Sequence, residues 1–121
     1  MELYRGEFMQ GSYDSWVDEQ RTYYREQYLR ILEALAKAAH ELTEWPRALN
    51  LAKKIIREDP FREDIHCMVM QIQAALGNRA AVKEQFETLK KLLEEELGVE
   101  PEPTTQILYR ELFGGKLGIR P

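Results

Sequence analysis

Apolar residues along the chain recur at three- and four-residue steps, and the steps break at Gly, Pro or Asn. Val17, Tyr24, Tyr28, Ile31, Leu35, Ala38 and Leu42 form one stripe, which predicts an amphipathic helix to about His40. Asp14 or Ser15 suits its N-cap, and Asp18 and Glu19 set carboxylates in the first turns, where the macrodipole favours them. Trp45-Pro46 breaks this helix and opens a second, with Ala48, Leu49, Ala52, Ile55 and Ile56 inward, that stops at Asp59-Pro60. The spacing of Ile65, Val69, Ile72 and Leu76 predicts a third helix over 62–76, ended by Gly77-Asn78. A fourth over 80–97 aligns Val82, Phe86, Leu89, Leu93 and Leu97, and Gly98 ends it. Pro101 and Pro103 make a stiff bend before a short helix over 104–113. No segment alternates as a strand does. The fold class is all-α.

Two stretches fall outside this periodicity. Residues 1–13, with Gly6 and Gly11 among Leu3, Tyr4, Phe8 and Met9, read as an irregular arm, and 114–121 as a tail or linker. The first helix is about 25 residues long, roughly 40 Å, some two turns more than a repeat helix needs. Trp16, Val17 and Tyr24 then need cover, and the arm, folding back at its glycines, is expected to dock there and bury Trp16.

The pattern also repeats. Thr43 to Ala52 sits over Gly77 to Phe86 at an offset of 34 residues, so that Ala48 meets Val82, Ala52 meets Phe86 and Ile55 meets Leu89. Leu35 falls over Val69 and Leu42 over Leu76. Such a period marks helix-turn-helix units that must stack to bury their apolar faces, and such stacks generally bind other proteins. Phe86, the large residue at its register position, is expected to be a core keystone whose loss costs about 3–5 kcal/mol.

Composition narrows the function. A chain of 121 residues makes one domain. A net charge of −4 opposes a nucleic-acid surface, which needs clustered Lys and Arg. No apolar run approaches a membrane span, no signal peptide opens the chain, and a single cysteine, Cys67, makes no internal disulfide. These features favour the cytoplasm.

With the helices placed, the chain closely resembles the bacterial transcriptional activator domain, the helical module that follows a winged-helix DNA-binding domain in antibiotic-pathway activators and related regulators. Tyr4-Arg5-Gly6-Glu7-Phe8 and Tyr13-Asp14-Ser15-Trp16-Val17 look like that family's opening, with Gln20-Arg21 where it usually has Glu-Arg. Tyr28-Leu29 and Glu33-Ala34-Leu35 continue it. Asp59-Pro60-Phe61-Arg62-Glu63-Asp64-Ile65-His66 resembles its signature joint. The run from Glu95 to Pro103, with Leu108-Tyr109, resembles its closing motif. The similarity covers residues 3 to 113. It implies a tetratricopeptide-like antiparallel bundle of about five helices over 14–113 and a cytoplasmic regulator as parent. The implied partners are other domains of that parent and the transcription machinery. DNA would be reached only through an upstream domain, this chain being a piece of a larger regulator. A homodimer is compatible with it.

Catalytic chemistry is poorly supported. His66 and Cys67 are about 100° apart on a helix and cannot chelate one ion as an i,i+4 pair can. His40 has no recognisable partner. Glu94, Glu95 and Glu96 point three ways and read as a solvated face. No Gly-rich phosphate loop or Ser/His/Asp order is present. The reading is therefore a non-enzymatic domain without cofactor or metal. Its candidate partner-binding residues are a basic-aromatic strip of Arg21, Tyr24, Arg25 and Tyr28, together with Arg62 and His66 four residues apart. His66 also takes the slot of Leu32 one repeat earlier, which suits a core-edge ring bonded to a carboxylate. The rival readings are a ligand- or nucleotide-sensing module, which would want an elongated buried cavity with converging arginines, and a free-standing repeat adaptor.

Overall fold

The computed structural model describes residues 2–113, with side chains described from residue 15 onward. The helices are α1 (Glu2–Glu41), α2 (Trp45–Glu58), α3 (Glu63–Ala75), α4 (Arg79–Leu97) and α5 (Pro103–Phe113). They divide into two compact units, Met1–Ile31 and Leu32–Pro121. The tail over 114–121 lies outside the described residues.

In the first unit, α1 is helical from Glu2, which corrects the expected start at Asp14 or Ser15 and the irregular arm before it. Gly6 and Gly11 lie inside the helix. An isolated glycine costs a helix only about 1 kcal/mol, and good helix formers such as Glu7, Met9 and Gln10 stand between the two. A continuous helix has no fold-back at either glycine. Trp16 is 54% exposed and Tyr24 64% exposed, so the expected burial of Trp16 is also corrected. The side chains of Leu3, Tyr4, Phe8 and Met9, expected to cover it, lie outside the described residues.

The second unit holds the repeat. α1 ends at Glu41 and α3 at Ala75; α2 begins at Trp45 and α4 at Arg79, each pair offset by 34 residues. The turns between them are made by the same hydrogen bonds. Thr43 N donates to His40 O and Glu44 N to Ala39 O, at 3.0 and 2.9 Å. One repeat on, Gly77 N donates to Ala74 O and Asn78 N to Gln73 O, at 3.0 and 2.8 Å. Both turns pivot on a left-handed residue, Gly77 at φ 79° and Thr43 at φ 56°. Glycine takes that conformation freely, whereas a β-branched threonine is strained in it. The N-cap differs between the repeats: Asn78 Oδ1 accepts from Ala81 N at 3.2 Å, while α2 starts with a proline in its first turn.

The core matches pair by pair. Ala36 and Met70, Ala48 and Val82, and Ile55 and Leu89 are all fully buried. α3 packs against α2, α4 and α5, and α4 against α5. This is an all-α, tetratricopeptide-like fold.

Two parts of the expected core are corrected. In this unit α1 buries Leu32, Ala36 and Ala39, not the stripe through Leu35 and Leu42, which are 40% and 66% exposed. The two faces are one residue, about 100°, apart. Small alanines let a helix approach closely, so the alanine face is the one that goes in. Phe86 is half-buried: its ring lies on Tyr109 of α5, centroids 4.1 Å apart and planes within 4°. The fully buried residues of that stripe are Val82 and Leu89, on either side of it.

Two outcomes follow for stability. Thr43→Gly should raise the unfolding free energy obtained from urea melts, by up to about 1 kcal/mol, because relief of left-handed strain exceeds the added freedom of the unfolded chain. A lower value would mean that the strain at Thr43 is smaller than the entropy a glycine adds to the unfolded chain. Leu89→Ala should cost about 2–5 kcal/mol, against about 1–3 kcal/mol for Phe86→Ala, which loses a ring contact and part of its burial. Melts of both variants test that order.

Candidate functional site

The joint between the repeats runs from Asp59 to Arg62. Its backbone closes through Asp59 N donating to Ile55 O at 2.8 Å and Arg62 N donating to Asp59 O at 3.2 Å. Two residues that the sequence singled out lie here, Arg62 at the end of the joint and His66 in the first turn of α3.

His66 is 1% exposed. Its Nε2 lies 2.8 Å from Pro60 O and its Nδ1 lies 2.7 Å from Gln85 Nε2 on α4. A carbonyl only accepts, so Nε2 carries the proton, and Nδ1 accepts from the Gln85 amide. Both ring nitrogens are satisfied with the ring neutral. Burial pushes its pKa down, opposed by the bond to Pro60 and by Glu63 and Asp64. The ring thus offers nothing to a partner, and its neighbours are an amide and a carbonyl where a carboxylate was expected.

Arg62 is committed as well. Its Nε and one terminal nitrogen donate to the two oxygens of Asp64 at 3.1 and 3.0 Å, a bidentate pair. The same nitrogen lies 3.2 Å from Glu33 Oε2 on α1, and Lys37 Nζ lies 3.0 Å from that oxygen. Asp64, held chiefly by Arg62, and Glu33, held chiefly by Lys37, both have lowered pKa values. This chain of charges ties the end of α1 to the start of α3, leaving Arg62 little capacity for an anionic partner.

Arg62 lines an open cleft of about 640 Å³ with Phe61, Asp64, Cys67, Glu102 and Thr105. Glu102 N donates to Glu63 Oε2 at 2.7 Å, which fastens the start of α5 to the start of α3. Cys67 Sγ lies 3.3 Å from Thr105 Oγ1, and burial raises its pKa, so the thiolate needed for nucleophilic or redox chemistry is disfavoured. Among the described residues no three His, Cys, Asp or Glu side chains gather as metal ligands. His40 lies edge-on to Trp45 at 5.4 Å. No described helix is long and apolar enough to cross a membrane.

Arg21, Tyr24, Arg25 and Tyr28 are in the first unit and all exposed, whereas Arg62 and His66 are in the second. Tyr23 meets Tyr24 edge-on at 5.5 Å. The tyrosines are surface residues, not core.

Sequence reasoning missed the groove between α4 and α5. It is about 240 Å³ in volume, with Phe86 and Tyr109 beside Lys90 and Arg110. Tyr109 and Phe113, four apart on α5, were its only local signal; the partner ring, Phe86, is distant in sequence.

The buried imidazole has a pH consequence. An unfolded histidine takes up a proton as pH falls through about 6.5, while the folded ring resists it, so stability declines below that value. In His66→Gln the slope of unfolding free energy between about pH 7 and pH 5 should flatten. An unaltered slope would assign that titration to other groups.

Comparison with curated proteins returned no match, and comparison with solved structures returned none either. The model of one protein family does match: the bacterial transcriptional activator domain, over residues 1–113. The joint over 59–66, the helix-ending Gly98 and the bend that starts α5 all lie within that span, and the chain belongs to the bacterial transcriptional activator domain family.

Proposed function

We propose that this chain is a non-catalytic protein–protein contact domain of a cytoplasmic bacterial transcription regulator, with DNA bound by other residues of the parent. The carrying observation is a mismatch within the repeat: Leu35 is 40% exposed, while its counterpart Val69 is 0% exposed. The bond from Gln85 to His66 turns the α3 face of His66, Met70 and Gln73 toward α4. On α1 the register equivalents Leu32, Ala36 and Ala39 are the buried face. The next face on α3, with Val69 and Ile72, is fully buried; on α1 its equivalents, Leu35 and Ala38, are exposed, and Leu42 beyond them is exposed as its counterpart Leu76 also is. A face built to be covered is open. Covering a large aliphatic side chain is worth about 1.5–3 kcal/mol, enough for Leu35 and Leu42 to anchor a partner helix. The partners that fit are other domains of the regulator or the transcription machinery.

The double variant Leu35→Glu with Leu42→Glu tests this. Both residues are exposed, so the melt of this chain should shift by less than about 0.5 kcal/mol. In the parent regulator the same variant should abolish promoter activation in a reporter strain. Full activation with an unchanged melt would remove this face from the function.

A further inference from the structure

The outer face of α2 is charged in one dominant sense. Arg47, Asn50, Lys54 and Arg57 follow one another at three- and four-residue steps, with Lys53 beside them, away from the buried Ala48, Leu51, Ala52 and Ile55. Arg47, Lys53 and Arg57 are exposed, and Lys54 is partly so. Two carboxylates adjoin this face. Glu44, just before the helix, meets Arg47 at 3.9 Å, a long and exposed pair that contributes little, and Glu58 stands in the last turn. Among the described residues Lys53, Lys54 and Arg57 make no ion pair. Four cations against two acids leave the face positive.

The repeat does not demand this sign. At an offset of 34 residues the same outer positions on α4 hold Ala81, Glu84, Glu87, Thr88 and Lys91, with negative charge in excess. A solvated helix face needs only polar side chains, so stacking leaves their sign free. The net charge of −4 conceals the cluster on α2, because acids elsewhere in the chain outweigh it.

The kind of occupant is set by what the face lacks. No large apolar side chain of α2 is exposed. A polypeptide partner is anchored chiefly by apolar and aromatic side chains seated in pockets, and this face offers them nothing. A phosphate backbone asks for the reverse, namely cations on flexible stems that displace counterions. From Arg47 to Arg57 the helix rises about 15 Å. One DNA strand presents about four phosphates over that length. Membership of a transcriptional activator domain family makes DNA the polyanion that the parent meets.

We propose that the outer face of α2 rests on the DNA phosphate backbone, as a sequence-independent contact beside the residues of the parent that read bases. Arg47, Lys53, Lys54 and Arg57 supply it through charge alone. The contact goes beyond the protein–protein reading and shares no residue with the face of Leu35 and Leu42.

The test is an NMR titration of this chain with a short DNA duplex of mixed sequence at about 50 mM salt, with polyglutamate as the comparison polyanion. We expect shifts centred on Arg47, Asn50, Lys53 and Arg57, with Kd below about 1 mM and equal for unrelated duplex sequences. Raising the salt to about 200 mM should weaken binding about fiftyfold, as three phosphate contacts require. Lys53→Glu with Arg57→Glu should weaken it at least about tenfold. Lys83→Glu with Lys91→Glu on α4 changes the net charge by the same amount and should weaken it less than about threefold, because only charges within a Debye length of the contact act strongly. All four residues are exposed, and unchanged melts verify that both variants fold. Absence of shifts on α2, an equal loss in the two double variants, or polyglutamate binding as tightly as the duplex would each overturn the proposal. Such a failure would leave the Leu35 and Leu42 reading standing, since promoter activation tests that face separately.

Discussion

α3 has three helical neighbours, and enclosure sets the terms for the rest of the second unit. A helix packed by α2, α4 and α5 can present only apolar groups or polar groups whose hydrogen bonds close inside the protein. Ile65, Val69, Met70 and Ile72 meet the first condition. His66 meets the second, and in doing so it joins three parts of the chain. Its Nε2 holds the carbonyl of Pro60 in the joint, and its Nδ1 holds the amide of Gln85 on α4. The joint and the second helical hairpin are thus fixed by the same ring. The neighbouring Arg62 carries the linkage outward through Asp64 and Glu33 to α1, but with partly exposed charges that add much less.

What could be read from the residues in advance follows the range of the physics involved. The ends of α2, α3, α4 and α5 fell within a residue or two of expectation, because Pro46, Gly77, Gly98 and Pro103 act on their own backbone. The 34-residue register was legible from coinciding small and apolar residues such as Ala48 with Val82 and Ile55 with Leu89, and the structure adds a left-handed residue at one position of both turns. Thr43 hid half of that signal by occupying a glycine's conformation. The buried face of α1 was not legible. Its longer side chains form a better stripe than Leu32, Ala36 and Ala39, but close approach between helices selects small residues. Nor was the partner of His66, since Gln85 lies on a different helix and no local pattern marks it. The start of α1 was misread by giving two glycines more weight than the helix formers around them.

The uncovered apolar surfaces share a common origin in the repeat. A helical repeat buries a face by stacking, and where the stack stops a face of the same composition remains exposed. Leu35 and Leu42 form such a face on the first repeat helix of the second unit. α5 covers much of α4 at the other side, through Phe86, Tyr109 and Phe113, yet it is short, and the groove beside the Phe86–Tyr109 pair remains. The candidate residues named from type alone fared differently. Arg62 and His66 had the chemistry of contact residues but are engaged internally, whereas Lys53 and Arg57 lie on a surface and make no ion pair among the described residues.

Coupling between contact and folding follows from these energies. A small domain holds a margin of roughly 5–15 kcal/mol, and burial of Leu35 and Leu42 by a partner contributes a few kcal/mol on the same scale. Anything that binds the folded form alone stabilises it in proportion to the logarithm of its concentration over Kd. The α1 segment from Leu32 to Glu41 is anchored by three small or medium side chains and by the Glu33–Arg62 pair. Leu35 lies within it and Leu42 directly after it, so cover on those two side chains would add to its order. On the proposed reading, a partner that covers Leu35 and Leu42 would be registered through the firmness of that attachment, with the joint that His66 holds left unchanged.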